Sequence, residues 1–117
     1  MAAPNIVNVA TITGKTAVQA VGTSATAIVT NSASSGKVFK VNALLVSNVD
    51  GTDNAEITVD LYRSSTAYHL AKTVTVPADA TLDVVSKAIY LEEGDALRLT
   101  ANAASDLEAI CSYEEIS

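Results

Sequence analysis

A chain of 117 residues is long enough to bury one hydrophobic core and too short for two, so a single domain is expected over residues 1–117. Thirteen acidic residues against seven basic ones give a formal net charge of −6, and the lysines and arginines stand singly, which disfavours direct binding to nucleic acid or to an anionic membrane surface. A lone cysteine excludes an intrachain disulfide. No run approaches the roughly 20 apolar residues of a membrane helix. The start, Met1 to Asn5, has neither a basic region nor the apolar stretch of a secretory signal, so a soluble chain made in the cytosol is expected, one that would leave a cell by lysis.

Hydrophobic residues make up 49% of the chain, yet aromatics are only 4% and tryptophan is absent. The core must then be filled by Val, Ile, Leu and Ala. Each such side chain removes a modest area from water at roughly 25 cal/mol per Å², so further burial against neighbouring copies or partners is expected.

The first apolar run, Asn5 to Thr13, carries Ile6, Val7, Val9 and Ile12 on both faces. An ordinary first strand is the primary reading. The alternative is an extended N-terminal arm over residues 1–13 laid across a partner, with Ile6, Val7, Val9 and Ile12 as its contact residues. Gly14-Lys15 separates this run from a second, Thr16 to Val21, and Gly22-Thr23-Ser24 breaks the pattern before a short strand at Ala25 to Thr30. Asn31 to Gly36 is a loop.

Lys37 to Asn48 is predicted as the central strand, with Phe39, Val41, Ala43 and Leu45 inward and Lys40 and Asn42 outward. Asp50-Gly51 would turn it in a hairpin into Ala55 to Arg63, where Ile57, Val59 and Leu61 face in and Glu56, Thr58 and Asp60 face out. Tyr68 to Val76 follows, with Leu70, Val74 and Val76 on one parity, until Pro77 stops it. Thr81 to Val85 leads to Ile89 and Leu91, to the polar turn Glu92-Glu93-Gly94-Asp95, and to Leu97 and Leu99, a second expected hairpin. In the closing strand Leu107, Ala109 and Cys111 point one way and Glu108, Ile110 and Ser112 the other. Period-two runs with turn signals between them and no amphipathic helical stretch predict an all-β antiparallel sandwich or barrel.

Residues that usually carry chemistry are sparse. His69, the only histidine, falls on the polar parity of its strand and reads as a surface side chain, and Cys111 reads as a buried, inert thiol. Asp50, Asp53 and Glu56 could be taken for a calcium loop, but their spacing departs from D-x-[DN]-x-[DN]-G and an Asp-Gly turn explains them. Glu92, Glu93 and Asp95 read as a solvated turn. No catalytic, cofactor-binding or metal-binding residue is assigned, no cofactor is expected, and the chain is not read as an enzyme.

The opening APNIVNVATITGKTA, the central SGKVFKVNALLVSNVDGTDNAEITVDLY and the ending LEEGDALRLTANAASDLEAICSYEEIS resemble small virion structural proteins of tailed phages, particularly those of marine and cyanobacterial phages. The resemblance runs through almost the whole chain and implies a jelly-roll-like β-sandwich without catalytic residues. It implies a capsid decoration, or cement, protein in the virion, bound to the major capsid protein or other virion proteins as a homo-oligomer, a trimer by preference. A tail, neck or fibre component is the alternative. A carbohydrate-binding module stands behind both, because four Tyr, one Phe and no Trp offer few stacking platforms.

Overall fold

A computed structural model describes residues 4–117, and among them every regular element is a β-strand. The strands are β1 (Ile12–Ala20), β2 (Thr26–Thr30), β3 (Val38–Asn48), β4 (Ala55–Arg63), β5 (Thr66–Val76), β6 (Thr81–Asp83), β7 (Ile89–Leu91), β8 (Ala96–Ala101) and β9 (Leu107–Ile116). They form two antiparallel sheets. One runs β1-β9-β3 with both β6 and β7 laid along β3, and the other runs β2-β8-β4-β5. β6 pairs with Leu45 to Ser47 and β7 with Phe39 to Val41, so the two short strands act as halves of one interrupted strand. Counted so, eight strands in this order make a jelly roll, the antiparallel sandwich expected from the sequence.

The topology overturns both expected hairpins. β3 and β4 lie in different sheets, as do β7 and β8, so Asp50-Gly51 and Glu92 to Asp95 carry the chain from one layer to the other. Period two and a turn signal are the same for a hairpin and for a crossover. What separates them is which strand each face can cover, and that is a long-range property. β4 and β5 are the consecutive strands that do pair, joined through Ser64 and Ser65, whose φ values of 52° and 61° give the left-handed backbone conformation that matches a tight turn to the right-handed twist of the strands.

β1 runs unbroken through Gly14-Lys15, paired residue for residue with β9 from Ile12↔Ile116 to Ala20↔Glu108. The sequence break expected there is absent because glycine at a sheet edge needs no side-chain packing. In β3 the phase shifts. Val41 pairs with Tyr113 and Ala43 with Ser112, so Asn42 is the extra residue of a β-bulge. Phe39 and Val41 face inward as expected, but beyond the bulge Leu44 and Val46 take the core and Leu45 turns out, 37% exposed. β5 shows the same effect. Its register against β4 shifts at two places, Ala71 takes the position opposite Val59, and Leu70 and Val74 stay partly exposed.

The core is built from Leu44, Ile57, Leu91, Leu97, Leu99, Leu107, Val21, Val41, Val46, Val59 and Val76, all fully buried, as the composition required. Phe39 and Tyr113 meet with ring centroids 5.5 Å apart.

Two buried asparagines tie the layers together, one at each end of the sandwich. Asn31 Nδ2 donates to the carbonyls of Lys37 and Leu91, while its Oδ1 accepts from Ser35 Oγ. Asn48 Nδ2 donates to the carbonyls of Asp53 and Val76, both at 2.9 Å, and its Oδ1 accepts the Asp50 N–H. Crossovers leave main-chain groups without ladder partners, and these side chains supply the partners.

Candidate functional site

The residues expected to form an N-terminal contact arm are divided by the structure. Ile12 belongs to β1 and is 57% exposed, whereas Ile6 and Val7 precede the sheet, Val7 being 89% exposed, and Val9 is half-buried. A turn built on Asn5 shapes that segment: Asn5 Oδ1 accepts the Val7 N–H and its carbonyl accepts the Asn8 N–H. The segment is then moored to the chain end, where Ala10 and Thr11 donate to the Ser117 carbonyl and Ser117 donates back to Thr11. Met1 to Ala3, also part of the expected arm, lie outside the described residues.

A larger apolar feature lies on the outer face of the five-stranded sheet. Register places Val18, Ile110 and Leu45 side by side across β1, β9 and β3, and they are 75%, 47% and 37% exposed. Toward the strand ends this stripe opens into a shallow groove of about 380 Å³ lined by residues including Val18, Gln19, Ser47, Glu108 and Ile110. Ile12 and Tyr90 extend exposed apolar surface along the same face. Sequence reasoning had a signal for this stripe: Ile110 is the apolar residue on the polar parity of β9. Leu45 gave none, because the bulge at Asn42 decides its direction.

The outer face of the four-stranded sheet is polar and self-contained. Asp60, expected outward, is on that face but only 3% exposed, because Arg98 lies over it with Nε 2.9 Å from Oδ1 and Nη2 3.3 Å from Oδ2. The same guanidinium stacks 3.8 Å above the Tyr62 ring. His69, directly opposite Asp60 in the register, is exposed as the sequence indicated.

The turn at Glu92 to Asp95 is not the solvated one expected. Asp95 is 1% exposed. It takes two hydrogen bonds from Arg63, at 2.7 and 2.6 Å, and one from the Glu92 N–H. Burial pushes the Asp95 carboxyl up, but Arg63 and the Glu92 N–H outweigh it and hold it below the usual carboxylate range, while Arg63 is held above its ordinary value. Gly94, with φ of 89°, lets the turn bring Glu92 and Asp95 onto the same arginine. At the same end Glu115 accepts from both Lys37 and Lys15, and the Lys37 hydrogen bond is the main cause that lowers its carboxyl.

The opposite end of the sandwich gathers Asp50, Asp53, Asp79 and Asp106 in loops that carry no lysine or arginine. Asp50 Oδ1 is engaged by its own loop, accepting from the Thr52 N–H, the Thr52 hydroxyl and the Asp53 N–H. Those bonds lower the Asp50 carboxyl, whereas desolvation and then the charge of Asp50 raise Asp106. Among the described residues no group of three potential ligands is placed to hold a metal ion. Cys111 is fully buried on β9, between Ala17 of β1 and Leu44 of β3, and burial pushes its thiol up to about 11.

No family model matches the chain, and no curated protein matches it. Solved structures do. A subunit of Bacillus endospore appendages, described as forming a family of disulfide-linked pili, superposes with a TM-score of 0.53 at 14% identity over 92% of this chain and 88% of that one. A pentameric capsid protein isolated from metagenomic phage sequences gives a TM-score of 0.45 at 20% identity over 86% of this chain, which spans 62% of the capsid protein in one structure and 60% in a second. At these identities the likeness is one of fold.

Proposed function

We propose that this chain is a non-enzymatic structural protein of a phage virion, a capsid decoration protein that stabilises the lattice of a major capsid protein. The reading combines the sequence resemblance with one structural observation: three of the exposed apolar side chains, Val18, Ile110 and Leu45, stand side by side as a stripe on one face of a jelly roll, with the exposed Ile6 and Val7 on the same molecule. Such a surface suits shape-complementary contact, not the binding and turnover of a small molecule. Many copies on a shell would act together, so weak single contacts suffice. The appended segment before β1 and the stripe are the two contact elements of this reading, and self-assembly into a homo-oligomer, with the trimer of the resemblance as its first form, accompanies it. Cys111 is the sole cysteine and is buried, so links between copies would be non-covalent, unlike those of the disulfide-linked pilus subunit.

The test is location. Phage particles that carry this chain are separated into heads and tails, and the protein is quantified in each fraction. Recovery with heads supports decoration, recovery with tails moves the same surface to the tail, neck or fibre alternative, and absence from purified particles overturns a virion role. Removing residues 1–10, which leaves β1 intact, then reads the arm: unchanged occupancy of empty heads would leave the stripe as the attachment element.

A further inference from the structure

We propose that β1 is a self-pairing edge: two copies of this chain join their β1 strands antiparallel about a two-fold axis at Thr16, fusing their five-stranded sheets. This goes beyond the virion reading and holds for the isolated chain; where a trimer forms, it would link neighbouring trimers.

Three of the four lateral edges of the two sheets are blunted. β6 and β7 have three residues each and are separated along β3. β2 has five residues and a register irregularity at Ala27/Val29. β5 is long, but two register shifts break it and Thr73 sits at φ 47° with its N–H turned to Thr58 Oγ1. These are devices that keep a sheet edge from pairing. β1 has none of them: nine residues, no bulge, and a single charge, Lys15, occupied by Glu115 at 3.1 Å.

Thr11 and Ser117 exchange both main-chain bonds, and the Val21 N–H bonds Leu107, so the odd-numbered residues of β1 face β9. Ile12, Gly14, Thr16, Val18 and Ala20 therefore turn their N–H and C=O outward, an open ladder. Antiparallel pairing must set outward residues opposite one another, which admits only a few registers. Centring on Lys15 places Lys15 against its own copy, a like-charge pair. Centring on Ala17 leaves Ile12 without a partner.

Centring on Thr16 uses all nine residues and sets large against small, Ile12 opposite Ala20 and Val18 opposite Gly14. A Cβ built on Gly14 meets nothing within 4 Å, so Val18 of the second copy has space to lie there. Lys15 faces Ala17. Gln19, whose Nε2 donates to the Ala27 carbonyl, lies opposite Thr13 of the second copy, a pairing of two uncharged side chains. The edge is about 30 Å long at roughly 3.4 Å per residue. A contact so narrow falls short of the roughly 800 Å² per partner of a stable pair, so it forms in a concentration-dependent equilibrium.

Sedimentation velocity across a concentration series is the first measurement. Wild-type protein should shift from monomer to dimer mass, and Thr16→Pro, which removes only an outward N–H at an edge where proline is tolerated, should stay monomeric with an unchanged β spectrum. The second uses a short bifunctional thiol reagent on Thr16→Cys, with Thr75→Cys on β5 as control; buried Cys111 stays silent in both. Crosslinked dimer from Thr16→Cys and none from Thr75→Cys confirms the edge and register, whether or not the proline variant folds. A wild type that remains monomeric at its highest soluble concentration, a folded Thr16→Pro that dimerises as well as wild type, or equal crosslinking at both positions would overturn the proposal. None of these results bears on where the protein sits in a particle, which fractionation reads separately.

Discussion

Replacing Asn48 by leucine, which has the same branched skeleton but no polar atoms, tests whether a single side chain holds the acidic end of the sandwich closed. Asn48 is 2% exposed and makes three hydrogen bonds, so the substitution strands the carbonyls of Asp53 and Val76 and the N–H of Asp50. Asp53 is exposed and Asp50 half-exposed, so water can replace those two bonds, and each loss costs about 0.5–1.5 kcal/mol. Val76 is fully buried, and its carbonyl adds a further desolvation cost of about 1–3 kcal/mol. The sum centres on about 4 kcal/mol, or a fall of roughly 16 °C in melting temperature for a domain of this size. Urea unfolding of Asn48→Leu should show that loss with the slope unchanged. Asn54→Ala, which removes one exposed 3.3 Å contact to the Ala78 N–H, should stay within about 0.5 kcal/mol of wild type. A loss below about 1 kcal/mol in Asn48→Leu would refute the reasoning, because the crossover would then be held by packing alone.

Asp95 and Glu115 titrate below their ordinary values when folded, so the stability they contribute is present above the unfolded carboxylate range and is lost as pH falls through their lowered folded values; acid unfolding monitored by circular dichroism should begin below about pH 4. Arg63→Ala leaves the buried Asp95 charge unpaired and should cost about 2 kcal/mol at pH 7, the partly exposed arginine tempering the loss, with the deficit shrinking in acid; an equal deficit at every pH would contradict the ion-pair account. Asp106 titrates above its ordinary value, so Asp106→Asn should raise the melting temperature at pH 7 and change nothing once the carboxyl is protonated, as thermal melts at the two pH values will show. Cys111, raised by burial, should resist a thiol-reactive dye at pH 8 in folded protein and react at once in denaturant; rapid labelling of the native chain would show that β1 opens locally.

Composition and period two determined that this chain is an antiparallel β protein with a Val, Leu and Ile core, because alternation along a strand is a local property that survives in the sequence. The faces of β4 and β9 were legible for the same reason: their apolar parity is uninterrupted, and Ile57, Val59, Leu107, Ala109 and Cys111 lie where it puts them. Tertiary structure decided what local pattern cannot hold. One extra residue, Asn42, reverses every later side chain of β3, so Leu44 is buried and Leu45 joins the outer stripe. Turn signals at Asp50-Gly51 and at Glu92 to Asp95 mark chain reversal without saying whether the next strand returns to the same sheet or crosses to the other. The buried roles of Asp95, Asp60, Asn31 and Asn48 depend on partners up to 60 residues away in the chain, as with Asn31 and Leu91, and no window of sequence contains both members of such a pair. The exposed stripe and the open edge of β1 belong to this second class, because a surface becomes a site only when distant strands are set side by side and one of them is left without a neighbour.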